Sequence, residues 1–206
     1  MVDSLVLADK NTMQGCRPLT DLEVMRVIQR LDGKFNLRDQ ALFVLGVKTG
    51  FRISELLSLK VKDFIQHGQF VTRVRVKRQN MKKKQQSREV PLHPQAKKVL
   101  SEWFQKLKSE NKFHEEHFVF LSQKGINNPI SRRHALRVLR VAYDAAKLQG
   151  PLGTHSMRKT FAEKVHRNFD KDLIKTQRAL GHKNINSTVS YLSFDEEEID
   201  AGILAS

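Results

Sequence analysis

The sequence predicts an α+β fold that is mainly α-helical, with one small antiparallel β-sheet inserted near the first third of the chain. Apolar residues recur at intervals of three and four over most of the sequence, as they do in amphipathic helices. One segment instead alternates apolar and polar residues, which is typical of a half-buried strand. The 206 residues, 39% of them hydrophobic, are enough for a single compact domain with a substantial core.

The first predicted helix follows a segment that has no sustained periodicity. Thr20, with Glu23 three residues later, forms a capping-box pattern that marks the start of a helix, and Gly33 marks its end. The apolar residues at helical spacing between them are Leu22, Met25, Ile28 and Leu31. We therefore expect residues 1–16 to form an N-terminal tail and residues 17–206 to form one domain.

A central helix and the sheet come next. Residues 36–49 are apolar on nearly every side in their second half, which predicts a buried helix that ends at Gly50. A short helix from about Ser54 leads to a strand over residues 70–77 with a basic outer face, and residues 88–92 are its predicted hairpin partner. The polar loop between the two strands contains Lys82, Lys83 and Lys84.

The remainder of the chain is predicted to be helical, apart from a short extended piece over residues 118–121. Tyr143 lies on the apolar face of one of these helices, so we expect it in the core. The acidic residues 195–198 are expected to open a final short helix. The other helices are predicted over residues 96–107, 131–148, 154–168, 171–180 and 187–192.

The charge balance indicates a polyanionic partner. The chain has 37 Lys and Arg residues against 22 Asp and Glu, a formal net charge of +15. Net charge alone does not separate DNA from RNA. The single cysteine, Cys16, excludes an intramolecular disulfide and cysteine-based zinc sites. The longest apolar run, around residues 41–47, is too short to span a membrane, so we expect a cytoplasmic protein.

Four spaced motifs contain the candidate chemical groups. Arg52 alone would predict no more than an ion pair with Glu55. His155 and Arg158 are three residues apart, so both side chains can project from one face of a helix. In order and spacing, the motifs together resemble the tyrosine recombinases, also called phage-type integrases, over about residues 18–194. The motifs are TGFRISEL at residues 49–56, HSMR at residues 155–158, LGH at residues 180–182, and Tyr191.

The resemblance implies the catalytic-domain fold of that family and a clamp around the scissile phosphate. It assigns the clamp to Arg52 and Arg158, with His155 and His182 assisting. Planar guanidinium groups suit the charged oxygens of a phosphoryl group better than lysine does. Because these cations neutralise the phosphate, and because the sequence offers no carboxylate cluster, we expect a reaction without metal ion or cofactor.

The resemblance further makes Tyr191 the nucleophile and a hairpin lysine the general acid. A phenol is almost wholly protonated at neutral pH, so attack requires a base or a strongly positive environment. The nearby arginines could supply that environment, and His155 could take the proton. The product would be a 3′-phosphotyrosyl link, and the leaving 5′ oxygen would take a proton from lysine. We assign this lysine to Lys82, the first of the turn, with Lys83 and Lys84 left as alternatives.

In this family, pairs of dimers exchange DNA strands through a Holliday junction. The implied partners are therefore double-stranded DNA, further copies of the chain in a dimer or tetramer on DNA, and an accessory DNA-bending or directionality factor. Ile199, Ile203 and Leu204 either dock onto a neighbouring copy or fold back on their own core. Most relatives also have an N-terminal helical domain, which we expect to be absent here. The expected DNA-contacting residues are Lys77, Arg78, Lys83, Lys84, Arg132 and Arg133, with Arg137 and Arg140 on the same helix as the last two.

Three other functions compete with this interpretation. A type IB topoisomerase would use a similar set of two arginines, a lysine and a tyrosine, but the LGH motif at residues 180–182 favours a recombinase. A noncatalytic DNA-binding regulator would be expected to lack an Arg, His or Tyr of the set, and none is missing. An RNA-binding protein would expose aromatic residues for base stacking, whereas most of the 12 Phe fall in apolar patterns.

Overall fold

The computed structural model describes residues 15–76, 87–192, 200 and 203–205. It confirms the predicted α+β class, mainly helical with small antiparallel β-structure. The helices are α1 Asp21–Arg30, α2 Asn36–Thr49, α3 Ile53–Leu56, α4 Pro94–Ser109, α5 Arg132–Ala145, α6 Thr154–Asn168, α7 Leu173–Leu180 and α8 Asn186–Val189, with a 3₁₀ turn at Val61–Asp63. The strands are β1 Ile65–Gln66, β2 Gln69–Phe70, β3 Arg73–Val76 and β4 Arg88–Pro91.

Helix α2 is the central element, as predicted. Residues 41–47 are all buried, and the helix packs against α4 on one side and α6 on another. It ends at Gly50, whose φ of 60° lies in the left-handed region. A Cβ at this position would lie only 2.3 Å from Cδ1 of Phe161. Conformation and space therefore both require glycine where the chain turns toward Arg52.

Helix α1 has the predicted capping box, but its buried face differs from the predicted one. The Oγ1 atom of Thr20 accepts from the backbone N–H of Glu23, and the Glu23 carboxylate accepts from the backbone N–H of Thr20. Leu22 and Met25 are 53% and 56% exposed. The helix packs against α5 and α2, which lie on its other side. The residues that pack there are Val24, Val27, Ile28 and Leu31.

The predicted strand over residues 70–77 is in fact two strands, in two separate two-stranded sheets. Phe70 belongs to β2, which pairs with β1 through a two-residue turn at His67 and Gly68, both with positive φ. Strand β3 pairs with β4, so the predicted hairpin is confirmed. The alternation of residue types continues through residues 71–72, so the sequence pattern does not show where β2 ends and β3 begins.

Strand β3 has the basic outer face that its sequence predicts. Val74 and Val76 are buried, whereas Arg73 and Arg75 are exposed beside Glu89 on β4. The alternation thus places the charged residues in solvent and the valines against the core. The predicted lysine loop lies outside the described residues, as do Lys77, Arg78, Lys82, Lys83 and Lys84.

The remaining predictions for the core largely hold. Tyr143 is 2% exposed and donates from its hydroxyl to the carbonyl of Gly153 at 3.2 Å. The extended piece at residues 118–121 forms two isolated bridges. The predicted helix over residues 187–192 is shorter than expected, since α8 ends at Val189. The apolar stripes of α4 and α5 face the core through Ala96, Leu100, Trp103, Phe104, Leu107, Leu139 and Tyr143.

The C-terminal segment is described only in part. Ile203 and Leu204 are 65% and 88% exposed, whereas Ile199 and residues 195–198 lie outside the described residues. The expected docking or folding-back of this segment therefore stays a prediction. Within the described part of the chain, no helix is long and apolar enough to cross a membrane.

Candidate active site

Residues from four distant segments meet at one place. The turn after α2 supplies Arg52, helix α6 supplies His155 and Arg158, the turn after α7 supplies His182, and the turn after α8 supplies Tyr191. The packing of α6 against both α2 and α7 is what brings these segments together. Every predicted catalytic side chain except Lys82, which lies outside the described residues, is thus near the others.

Arg158 is the buried centre of the site. It is 1% exposed and donates to the carbonyl oxygens of Gly50 and, at 2.8 Å, Leu180. Its Nη2 lies 2.7 Å from Nε2 of His182. Burial, followed by the charge of Arg52, lowers the pKa of Arg158 to about 10, so the guanidinium remains a cation at neutral pH. Its Nε–H is buried without a hydrogen-bond partner among the described residues.

Arg52 is held at the entrance of α3 by Glu55. Its backbone N–H donates to Oε2 of Glu55 at 2.7 Å, and its Nη1 donates to Oε1 at 3.1 Å. The expectation of an ion pair between Arg52 and Glu55 is confirmed. The Arg52 side chain remains 36% exposed, so the ion pair does not remove it from solvent. This guanidinium is therefore accessible to a ligand, whereas that of Arg158 is enclosed.

Tyr191 and His155 are in direct contact. The hydroxyl of Tyr191 lies 3.0 Å from Nδ1 of His155, and the two rings meet edge to face. Burial, then the charges of Arg158, Arg52 and Lys159, lowers the pKa of His155 below its ordinary value. The imidazole is therefore mostly neutral at neutral pH, and Nδ1 can accept the phenolic proton.

Tyr191 also contacts the cationic centre of the site. Its ring centroid lies 5.6 Å from Cζ of Arg158 and 5.2 Å from the ring of His182. A fixed positive charge at this distance can offset negative charge that develops on the phenolic oxygen during a reaction. The site therefore combines an acceptor for the tyrosine proton with a cation that stabilises the anion produced.

Arg88 is a residue of this region whose role the sequence analysis missed. It is 7% exposed and donates to the carbonyl oxygens of Thr49 and Ala179, both at 2.6 Å, and of Gly50 at 3.2 Å. It joins β4 to the ends of α2 and α7, which directly precede Arg52 and His182 in the chain. Its guanidinium also lies near the rings of Phe51 and Phe161.

The sequence did contain a signal for Arg88. Residues two apart in a strand share a face, and Val90 is the apolar residue that a strand over residues 88–92 would turn toward the core. Arg88 must then point inward as well, and the structure buries both residues. Because a buried arginine requires acceptors, its position predicts carbonyl or carboxylate partners on neighbouring segments.

The other described DNA-contact candidates are exposed residues of α5. Arg132 and Arg133 open α5 after the N-cap Ser131, and both are exposed, as are Arg137 and Arg140. Their side chains are therefore available to a ligand. Within the described ranges, no group of three His, Cys, Asp or Glu side chains is arranged to hold a metal ion.

Comparison with known proteins identifies the class that these features define. The profile of the phage integrase family matches residues 17–198. Probable integrase/recombinase YoeC of Bacillus subtilis is 32% identical over 185 residues, which cover 90% of this chain and 93% of that protein. Tyrosine recombinase XerD of Listeria monocytogenes is 29% identical over 84% of this chain and 56% of its own length. The chain belongs to the phage integrase family and is a tyrosine recombinase.

Solved structures confirm the predicted catalytic-domain fold. XerA recombinase superposes with a TM-score of 0.72 at 21% identity, covering 93% of this chain and 65% of that one. XerH bound to its difH substrate gives a TM-score of 0.69 at 25% identity, over 90% and 53% of the two chains. A lambda integrase tetramer bound to a Holliday junction gives 0.65 at 20% identity, over 87% and 48%. The chain thus spans nearly all of YoeC but about half the length of XerD and XerH.

Proposed function

We propose that this domain cleaves and rejoins DNA at specific sites through a covalent 3′-phosphotyrosyl link to Tyr191, without metal ion or cofactor. The observation that carries the proposal is the 3.0 Å contact between the Tyr191 hydroxyl and Nδ1 of His155, beside the buried cation of Arg158. A nucleophile in contact with a neutral base and a fixed positive charge is the arrangement that such attack requires.

The proposed cleavage step moves one proton at each end of the reacting bond. His155 takes the Tyr191 proton at Nδ1 as the phenolic oxygen attacks phosphorus. The bond between phosphorus and the 5′ oxygen breaks, and that oxygen takes a proton from the hairpin lysine, which we assign to Lys82, with Lys83 and Lys84 as alternatives. The reverse sequence reseals the strand, because the phosphotyrosyl link conserves one phosphate ester bond.

Arg52 and Arg158 would bind the nonbridging oxygens of the phosphate, with His182 as a third donor. Arg52 is already accessible. Arg158 would exchange the carbonyl of Gly50 or Leu180 for a phosphate oxygen, and its unpartnered Nε–H is a further donor for that anion. Fixed guanidinium groups supply the positive charge that a divalent metal would otherwise bring.

The proposed substrate is duplex DNA, on which copies of the chain would assemble as dimers or tetramers and exchange strands through a Holliday junction. The net charge of +15 supports a polyanionic substrate. Among the structural neighbours, XerH holds its difH substrate and lambda integrase holds a Holliday junction as a tetramer. On this proposal Arg132 and Arg133 contact the DNA backbone, and Ile203 and Leu204 dock onto a neighbouring copy. An accessory DNA-bending or directionality factor takes part.

A covalent capture experiment with DNA of random sequence tests the proposal, so that no particular DNA site has to be chosen. The protein is incubated in EDTA with random-sequence duplexes that carry a central nick, so that a cleaved strand loses its short end and cannot be resealed. After denaturation, DNA that remains attached to protein is recovered and sequenced. Tyr143→Phe is the matched control for Tyr191→Phe, since the chain has only these 2 tyrosines.

We expect adducts from the unmodified protein and from Tyr143→Phe, and none from Tyr191→Phe. Equal adduct formation by Tyr191→Phe would refute the assigned nucleophile. If no variant forms an adduct while the unmodified protein still retains DNA on a native filter, the proposed cleavage is wrong and the domain only binds DNA. Adducts that form with added magnesium but not in EDTA would refute the metal-independent reaction.

A further inference from the structure

Thr188 is a buried polar residue between two groups of the proposed active site. It is 0% exposed and lies on α8, three residues before Tyr191. Its Oγ1 is 3.0 Å from Nδ1 of His182, and its backbone carbonyl accepts from the N–H of Tyr191 at 2.9 Å. One residue thus contacts both the ring of His182 and the main chain of the nucleophile.

The contacts of His182 determine where its proton lies in the free protein. A guanidinium group can only donate, so Nε2 of His182, 2.7 Å from Nη2 of Arg158, must act as the acceptor. A neutral imidazole that accepts at Nε2 carries its proton on Nδ1. That proton is then donated to the hydroxyl oxygen of Thr188, which lies within hydrogen-bond distance on that side.

Binding of a phosphate requires the opposite arrangement. A phosphate oxygen only accepts, so His182 can bind it at Nε2 only when Nε2 carries a proton. A hydroxyl both donates and accepts. Thr188 can therefore accept from Nδ1 in the free protein and donate to Nδ1 in the complex, so the imidazole can change tautomer without becoming charged. A carbonyl or carboxylate in its place could only accept, and would hold the proton on Nδ1.

We propose that Thr188 is a positioning residue that permits this tautomer change of His182 and keeps the ring aligned with Tyr191. The proposal rests on the proposed cleavage reaction, in which His182 binds the phosphate. The direct contact between the backbone of Thr188 and that of Tyr191 adds a geometric link. A shift of Thr188 would move the imidazole and the start of the nucleophile's turn together.

The test compares three variants on α8. Thr188→Val keeps the shape but removes the hydroxyl, Thr188→Ser keeps the hydroxyl, and Ser187→Ala removes an exposed neighbouring hydroxyl as the matched control. Single-turnover cleavage is measured on a saturating nicked duplex obtained from the covalent capture. The loss of one hydrogen bond of ordinary strength corresponds to a factor of about 10 in rate, so we expect Thr188→Val to be slower by about that factor, with DNA affinity unchanged. Thr188→Ser should restore most of the rate, and Ser187→Ala should match the unmodified protein.

A second readout follows the proton itself and needs no substitution at Thr188. In ¹⁵N NMR of the imidazole nitrogens, with the His182 signals assigned by their loss in His182→Gln, the free protein should show a protonated Nδ1 and a bare Nε2. With the duplex bound to Tyr191→Phe, which cannot cleave, Nε2 should become protonated while Nδ1 loses its proton.

Either readout can overturn the proposal. Thr188→Val that cleaves at the full rate, or Thr188→Ser that is as slow as Thr188→Val, would show that the hydroxyl is not needed. A free-protein spectrum with a bare Nδ1 would refute the assigned hydrogen bond, and a ring protonated at both nitrogens in the complex would refute the tautomer change. If the unmodified protein forms no adduct, the cleavage function fails instead, and the free-protein spectrum still decides the hydrogen bond.

Discussion

Replacement of Gly50 by alanine should destabilise the protein through two separable effects. The first is conformational, because φ at Gly50 is 60° and a left-handed backbone costs a residue with a Cβ about 1–2 kcal/mol. The second is steric, because the new Cβ would lie 2.3 Å from Cδ1 and 2.8 Å from Cγ of Phe161. Overpacking of a core in this way costs about 1–3 kcal/mol. The expected total is therefore about 2–5 kcal/mol.

Gly68→Ala is the matched control, since it shares only the first effect. Gly68 has φ of 76°, and no described atom lies within 4 Å of the position that its Cβ would occupy. The free energy of unfolding, measured by urea denaturation, should fall by about 1–3 kcal/mol more in Gly50→Ala than in Gly68→Ala. For a domain of this size the corresponding extra decrease in Tm is about 2–4 °C per kcal/mol.

The substitution should also affect the active site. The carbonyl of Gly50 accepts from Arg158 and Arg88, and Arg52 follows two residues later. Adduct formation by Gly50→Ala should therefore decrease at a temperature where the variant is still folded, whereas Gly68→Ala should react normally. Equal stability and equal activity of the two variants would refute the steric argument and the placement of Phe161 against this turn.

Three further predictions concern Arg88, His155 and the exposed arginines of α5. Arg88→Met should lower the free energy of unfolding by about 2–6 kcal/mol, because the carbonyl oxygens of Thr49 and Ala179, both at 2.6 Å, lose their donor at about 1–3 kcal/mol each. The control Arg75→Met, on the exposed face of β3, should change the free energy of unfolding by less than about 0.5 kcal/mol. Similar urea midpoints for the two variants would contradict the predicted role of Arg88. Since the pKa of His155 is lowered and its neutral form is the base, the decrease of the single-turnover cleavage rate at low pH should have its midpoint below about 6.5. A midpoint of this low-pH decrease above that value would be inconsistent with His155 as the base. Arg132→Ala combined with Arg133→Ala should reduce the slope of log K against log salt for DNA binding by about 1.8, at about 0.9 for each phosphate that is no longer neutralised, without changing the maximal cleavage rate; an unchanged slope would place both residues away from DNA.

Much of the fold follows from local patterns in the sequence. The continuous apolar run in α2, the stripes of α4 and α5, and the capping box at Thr20 all depend on residues a few positions apart. The motif residues were found differently, through the resemblance of four short motifs to those of the tyrosine recombinases. The structure then brings Arg52, Arg158 and Tyr191 together, which no local pattern determines.

What the sequence did not reveal depends on contacts between distant segments. The exposure of Leu22 and Met25 depends on which side of α1 meets α5 and α2. The break between β2 and β3 arises because β2 pairs with β1, whereas β3 pairs with β4. The hydrogen bond between Thr188 and His182 joins two ends of a turn, and no periodic pattern of residue types predicts how that turn folds. The assignment of Lys82 as the general acid stays a prediction, because Lys82 lies outside the described residues. The predicted division of the chain into a tail, residues 1–16, and a domain, residues 17–206, also stays a prediction.

The most direct test of the proposed chemistry is to identify the amino acid that becomes linked to DNA. The adduct formed with the nicked duplex is treated with nuclease and trypsin, and the peptide that carries the nucleotide remnant is sequenced by mass spectrometry. We predict that the remnant is attached through a phosphate to the hydroxyl of Tyr191. A remnant on Tyr143, on a serine or on a histidine would contradict the proposed nucleophile and the role assigned to His155.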